Sequence, residues 1–168
     1  MPFGLSTKER GHAIKKSGDL LLHSSSGTSY IDRKKVSKGI DLIPCYKVMM
    51  SKTSAEHAGE PGKDGKFKVF TSSMKVLGPN EVCTHSYFLI GQCQTREEAE
   101  FIESYLRTKF VRFLVMLSMS AINLSKLVFG FVPMQDFSKP WTDAELYKKY
   151  GLTEEEITFI ESMIKPME

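Results

Sequence analysis

The sequence predicts a mixed α+β (α/β) fold, and three observations carry that expectation. Up to residue 94, short apolar or β-branched stretches alternate with Gly, Ser, Pro and Asn clusters, as strands and turns do. At Thr95 the spacing of apolar residues changes to three and four, which marks a helix with one buried face. Near the end, Thr142 with Glu145 and Thr153 with Glu156 repeat the capping-box spacing, so two short helices are expected there. The 168 residues suit a single domain spanning 1–168, with a β-rich part at 1–94 and a helical part at 95–168.

The strand expectations fall on "DLLLH" (19–23), "SYID" (29–32), "CYKVMMSK" (45–52), "FKVF" (67–70) and "EVCTHSYFLIG" (81–91), forming a mixed sheet. "SSSGTS" and "AGEPGKDGK" separate them as loops, the second turning at Asp64-Gly65. From Thr95 one long helix is expected, because Ala99, Ile102, Leu106, Phe110, Leu114 and Leu117 share a face. Thr95 and Glu98 start it as a capping box, and Glu97 and Glu100 suit the positive end of its dipole. "LVFGFVP" then predicts a short strand near 129–132, closed by Pro133. Gly151 divides the two final helices at the place of a helix stop. Phe137 and Trp141 are expected to pack as an aromatic latch. Leu146, Tyr147, Tyr150, Ile157, Ile160 and Ile164 should turn inward.

Composition narrows the function. Apolar runs such as Phe113 to Leu117 are too short to span a bilayer, so no membrane partner is expected. The chain opens without a charged stretch leading into an apolar one, and its three cysteines lack CxxC spacing. Reduced thiols and a cytoplasmic location are the expectation. Residues 1–75 hold 14 Lys and Arg against 7 Asp and Glu, a local charge of +7; residues 76–168 carry −4. A basic half joined to an acidic half favours a polyanionic partner.

Several chemistries lack their residues. Neither GxGxxG nor a P-loop occurs, and the Asn-Pro-Pro-Tyr tetrapeptide of amino-methylating DNA methyltransferases is missing. Cys83, His85 and Cys93 lack a fourth zinc ligand, so packed thiols and a hydrogen-bonded histidine are expected. A metal-dependent nuclease would bring two carboxylates and a lysine to one divalent ion. Asp19, Asp32 and Lys34 have that outline, although Asp32 also reads as a solvated strand-end carboxylate. The alternative readings are therefore a small divalent-metal endonuclease and a protein-interaction module with a basic surface.

Binding fits the basic half better. Lys8, Arg10, Lys15 and Lys16, then Arg33, Lys34, Lys35 and Lys38, then Lys63, Lys66 and Lys68 fall in or beside its loops. Such side chains neutralise phosphates and release counterions. Tyr30 and His57 are placed to stack or pack beside a nucleic-acid backbone.

Five stretches, in order, also carry a family resemblance: "PFGLSTKERG" (2–11), "YIDRKKV" (30–36), "DLIPCYKVMMSKTSAEHAGE" (41–60), residues 77–119, and the closing "FGFVPMQDFSKPWTDAELYKKYGLTEEEITFIESMI" (129–164). Together they resemble the C-terminal DNA target-recognition region of bacterial restriction–modification proteins, where an adenine methyltransferase module, sometimes with an endonuclease, precedes it. The resemblance implies a sequence-specific DNA-recognition domain without its own methyltransferase centre. Double-stranded DNA and the methyltransferase module of the parent enzyme are the implied partners. S-adenosylmethionine and Mg2+ would belong to the parent's catalytic modules, with none in this chain. The implied contacts are Lys8, Arg10, Tyr30 and Arg33, and the loop from Lys52 to Glu60 with Lys52, Ser54 and His57.

Overall fold

In the computed structural model, which describes residues 1–56, 60–119 and 123–167, the chain folds as mixed α+β. Six strands and four α-helices are found among the described residues. The strands are β1 (Leu20–Ser24), β2 (Gly27–Ile31), β3 (Tyr46–Ser51), β4 (Lys75–Leu77), β5 (Glu81–Cys83) and β6 (Tyr87–Cys93). The helices are α1 (Arg96–Arg107), α2 (Lys109–Ser118), α3 (Asp143–Lys149) and α4 (Glu154–Met163). The contacts divide the chain into two compact units. The first comprises 1–51 and 73–99, and the second 52–72 and 100–168.

All six strands lie in the first unit, in two three-stranded sheets ordered β2-β1-β5 and β4-β3-β6. The first sheet is mixed: β1 runs antiparallel to β2 and parallel to β5. The second is antiparallel throughout. Leu20, Leu22, Ile31, Met49, Leu77 and Val82 bury their side chains in one apolar core, as the period of two in a strand allows. "SSSGTS", expected as an open loop, is a two-residue hairpin turn. Ser24 pairs with Gly27, and the Ser24 hydroxyl donates to the Gly27 carbonyl.

The second unit departs from expectation in three places. The predicted long helix breaks at Thr108, whose extended backbone starts α2 while its hydroxyl accepts from Val111 N–H. The carboxylate of Asp143 accepts from the Lys109 and Phe110 N–H groups, the free donors of the first turn of α2. A cap from a residue distant in sequence thus divides one apolar period into two helices. The strand expected at 129–132 is instead a 3-10 turn, Lys126–Phe129, continued by bends. Leu124 and Val128 are buried there while Leu127 and Phe131 are exposed, a spacing of four rather than two. "FKVF" forms only an isolated bridge, Phe67 with Ile164. Glu56 takes the N–H groups of Lys68 and Val69, which removes them from any strand ladder.

The two final helices form as expected, each with a complete capping box. Trp141 is buried and its indole N–H donates to the Asp136 carbonyl. Phe137 packs on Tyr105 of α1 at 5.5 Å, and Tyr150 stacks on Phe110 of α2 at 5.2 Å. The closing segment therefore braces α1 and α2. Among the described residues, no helix is long and apolar enough to cross a membrane.

Candidate nucleic-acid interface

The N-terminal segment meets the first sheet so that Arg10 lies beside Ser29 and Glu9 beside Lys35. His12 and Tyr30 exchange backbone hydrogen bonds of 2.8 and 2.9 Å, so residue 12 lies along one edge of β2. Leu20 pairs with Ile31 on the other edge of β2. Residues 13–19 therefore link the two edges of β2, and Asp19 enters β1 at the end where Ile31 leads into the 3-10 turn Arg33–Lys35. Gly11 makes the approach possible. Its φ is +63°, and a Cβ there would lie 2.3 Å from the Tyr30 carbonyl oxygen. The Ser29 hydroxyl donates to the Arg10 carbonyl at 2.6 Å and fixes the same segment one step earlier.

Lys8, Arg10, Arg33, Lys34 and Lys35 are all exposed, and Tyr30 is half-buried. Their acidic neighbours are engaged locally. Asp32 accepts from Lys34 N–H at 2.9 Å and caps the turn. Asp19 accepts from His12 Nε2 at 2.6 Å and from Lys16 N–H at 2.7 Å. The His12 imidazole, with the Lys16 N–H, holds the Asp19 carboxyl below the usual range. Glu9 accepts from Gly11 N–H and pairs with Lys35 at 3.3 Å. Burial pushes the Glu9 carboxyl up, but those partners outweigh it and leave it lowered. The resulting surface is a set of exposed cations in which Asp19 and Asp32 serve backbone and turn, Glu9 pairs with Lys35, and the Arg10 guanidinium donates to the Thr7 and Glu9 carbonyls.

The register also explains the nuclease-like outline. With Leu20 opposite Ile31, Asp19 and Asp32 sit at the same end of the sheet. Each carboxylate is nonetheless tied to its own turn, and Lys34 contributes its backbone N–H to Asp32. Among the described residues, no group of three or more His, Cys, Asp and Glu is arranged to hold a metal ion.

The remaining expected contacts belong to the second unit. Lys66 and Lys68 line an open cleft of about 860 Å³ together with Lys63, Lys165, Glu56 and Glu60. Lys66 Nζ donates to the Glu161 carbonyl at 3.4 Å, and Lys165 pairs with Asp64 at 2.8 Å. Ser54 is buried and its hydroxyl donates to the Glu56 carbonyl, so it shapes a turn. The Lys52 carbonyl accepts from Leu124 N–H at 2.7 Å. His57 lies outside the described residues. Sequence reasoning thus drew one set of contacts from two separate units.

Two buried cations escaped it entirely. Lys47 on β3 is fully buried, donating to the carbonyls of Cys45 and Gly78 at 3.0 and 2.9 Å. Arg112 on α2 donates to the carbonyls of Arg107, Thr108, Lys68 and Lys165. Their only trace in the sequence is a cation inside an apolar run, "CYKVMM" and "FVRFLV". The three cysteines are free and buried, as expected of packed thiols. Buried His23 donates from Nε2 to Glu81 at 2.6 Å.

The fold and this surface define an α+β chain presenting basic side chains at one end of a mixed sheet. Comparison with known proteins finds no matching family model, curated protein or solved structure.

Proposed function

We propose that this chain binds duplex DNA as the target-recognition part of a restriction–modification enzyme, with a methyltransferase module of the parent enzyme as its working partner. One observation carries the reading: Lys8, Arg10, Arg33, Lys34 and Lys35 are exposed around one end of the first sheet, while Glu9, Asp19 and Asp32 are engaged locally. Cations set on braced backbone meet phosphates with little loss of freedom, and each neutralised phosphate releases counterions. Tyr30, half-buried on β2 of the same sheet, adds a ring able to pack on sugar or base. The ordered stretches from "PFGLSTKERG" to the capped closing helices support the restriction–modification assignment.

In this reading the methyl donor and magnesium serve the parent's other modules, and this chain chooses where they act. The test is a fluorescence-anisotropy titration of labelled duplex DNA at low ionic strength, repeated as salt is raised. Affinity should fall linearly on a log–log plot with a slope set by the phosphates neutralised. A chain that leaves duplex DNA unbound at the lowest salt overturns the proposal.

A further inference from the structure

The loop from Ala13 to Gly18 has a construction that phosphate contacts alone do not explain. Ile14 is 79% exposed, with Lys15 and Lys16 following it, also exposed. A single exposed apolar residue is ordinary. Here, however, the loop that carries it is pinned at both ends. His12 is bonded to Tyr30 through the backbone and to Asp19 through its side chain. Asp19 also accepts from Lys16 N–H, and the Lys16 carbonyl accepts from Asp19 N–H at 3.2 Å. Gly18, at φ +82°, supplies the left-handed turn that lets the chain come back into β1. Ile14 is left to water on a loop whose two ends are tied down.

The location follows from the register. Residues 13–19 link the two edges of β2, and the loop enters β1 at the end of the sheet from which Arg33, Lys34 and Lys35 continue. An exposed apolar residue followed by two exposed lysines therefore lies on the loop that joins the sheet at its basic end. Proteins that deform duplex DNA combine these parts: cations that hold the phosphates, and an aliphatic side chain that enters a groove and unstacks a base step. A braced loop suits the task, because a wedge on a flexible loop loses in ordering what it gains in burial.

We infer that Ile14 is a DNA-deforming wedge, entering a groove of the duplex while Lys15 and Lys16 hold the flanking phosphates. The inference rests on the DNA-binding reading above and adds to it a mode of engagement. It assigns a contact role to three residues outside the Lys8, Arg10, Tyr30 and Arg33–Lys35 set.

The experiment uses the full chain and a short mixed-sequence duplex carrying a fluorescence donor and acceptor at its two ends. Wild type should bind and shorten the end-to-end distance. Ile14→Ala, which leaves every brace of the loop in place, should bind about tenfold more weakly. It should also lose the shortening while keeping the salt slope. Lys15→Ala with Lys16→Ala should instead reduce the slope by about 2, close to one unit per phosphate contact. Thermal unfolding of each variant shows that the fold is intact. If Ile14→Ala binds and bends the duplex as wild type does, the wedge is wrong while the DNA-binding reading stands. If wild type ignores duplex DNA, that reading fails and takes the wedge with it. Ile14-dependent binding to vesicles of anionic and neutral phospholipid, in place of the duplex, makes the tip a membrane contact and overturns the inference.

Discussion

Lys47 is the residue whose setting has the clearest measurable consequence. Burial pushes its ammonium down to about 8, against the pull of Glu81 and the neighbouring Cys45 and Cys83. An unfolded lysine titrates near 10.4, so between these values the unfolded chain holds more protons than the folded one. Lys47 should therefore add stability as pH climbs from 8 towards 10, by at most about 3 kcal/mol. The Cys93 thiol, pushed up by burial to about 11, takes stability away above pH 9 because the unfolded thiol ionises first. Above 10 the phenols of Tyr87, Tyr105 and Tyr147, raised by burial, work against stability, since the unfolded chain loses those protons first, and the lowered Arg112 guanidinium works for it. Urea midpoints measured across this range check it. The stability difference between wild type and Lys47→Met should shift in favour of wild type from pH 8 towards 10, with Cys93 common to both, and a difference that stays constant with pH contradicts it. Arg112 gives a second residue-scale expectation. Its guanidinium, lowered by burial to about 10, donates to four carbonyls from three parts of the second unit. Arg112→Met leaves those carbonyls without that donor and should cost about 3–5 kcal/mol of unfolding free energy. A denaturant midpoint within error of wild type contradicts it.

Elements were legible where their signal is local and hidden where a distant residue decides. The boxes at Thr142–Glu145 and Thr153–Glu156 are complete because every partner lies within three residues. Thr142→Ala and Thr153→Ala should each cost about 1 kcal/mol, read as thermal or denaturant unfolding of the single variants. Lys139 and the Thr142 N–H and hydroxyl hold the Glu145 carboxyl down to about 2. Its stabilising share is therefore fully present above the ordinary glutamate range and is lost as pH falls towards 2. The break at Thr108 could not be read the same way. Apolar spacing continues through it, and the capping carboxylate comes from Asp143. The strand expected at "FKVF" fails for a related reason, since Glu56 captures the Lys68 and Val69 N–H groups and Val69 adopts φ +70°. β-Branched composition names a segment fit for a strand, but partners elsewhere decide whether it pairs. The candidate interface divides likewise: its residue types stood in the sequence, whereas their placement on the first sheet depends on the Leu20–Ile31 register and on Gly11.

Across the whole molecule, charge is divided between the two units. The first holds 11 Lys and Arg against 7 Asp and Glu, or +4; the second holds 12 against 13, or −1. The imbalance of the first is concentrated before residue 40, where Arg33, Lys34 and Lys35 form an exposed turn with no buried side chain. Replacing all three with Ala should leave stability nearly unchanged, since the Glu9–Lys35 pair is exposed on its lysine side and worth little. The salt slope for duplex DNA should fall by up to about 2.7, three phosphate contacts at 0.9 each. Lys63, Lys66 and Lys68 provide the comparison, because Glu56, Glu60 and Asp64 line the same cleft and offset their charge. The corresponding triple Ala variant should shift the slope by less. Anisotropy titrations of both variants over one salt series decide between the surfaces. A larger loss in the Lys63, Lys66 and Lys68 variant moves the interface to the second unit and removes the basic end of the first sheet from the DNA-binding assignment.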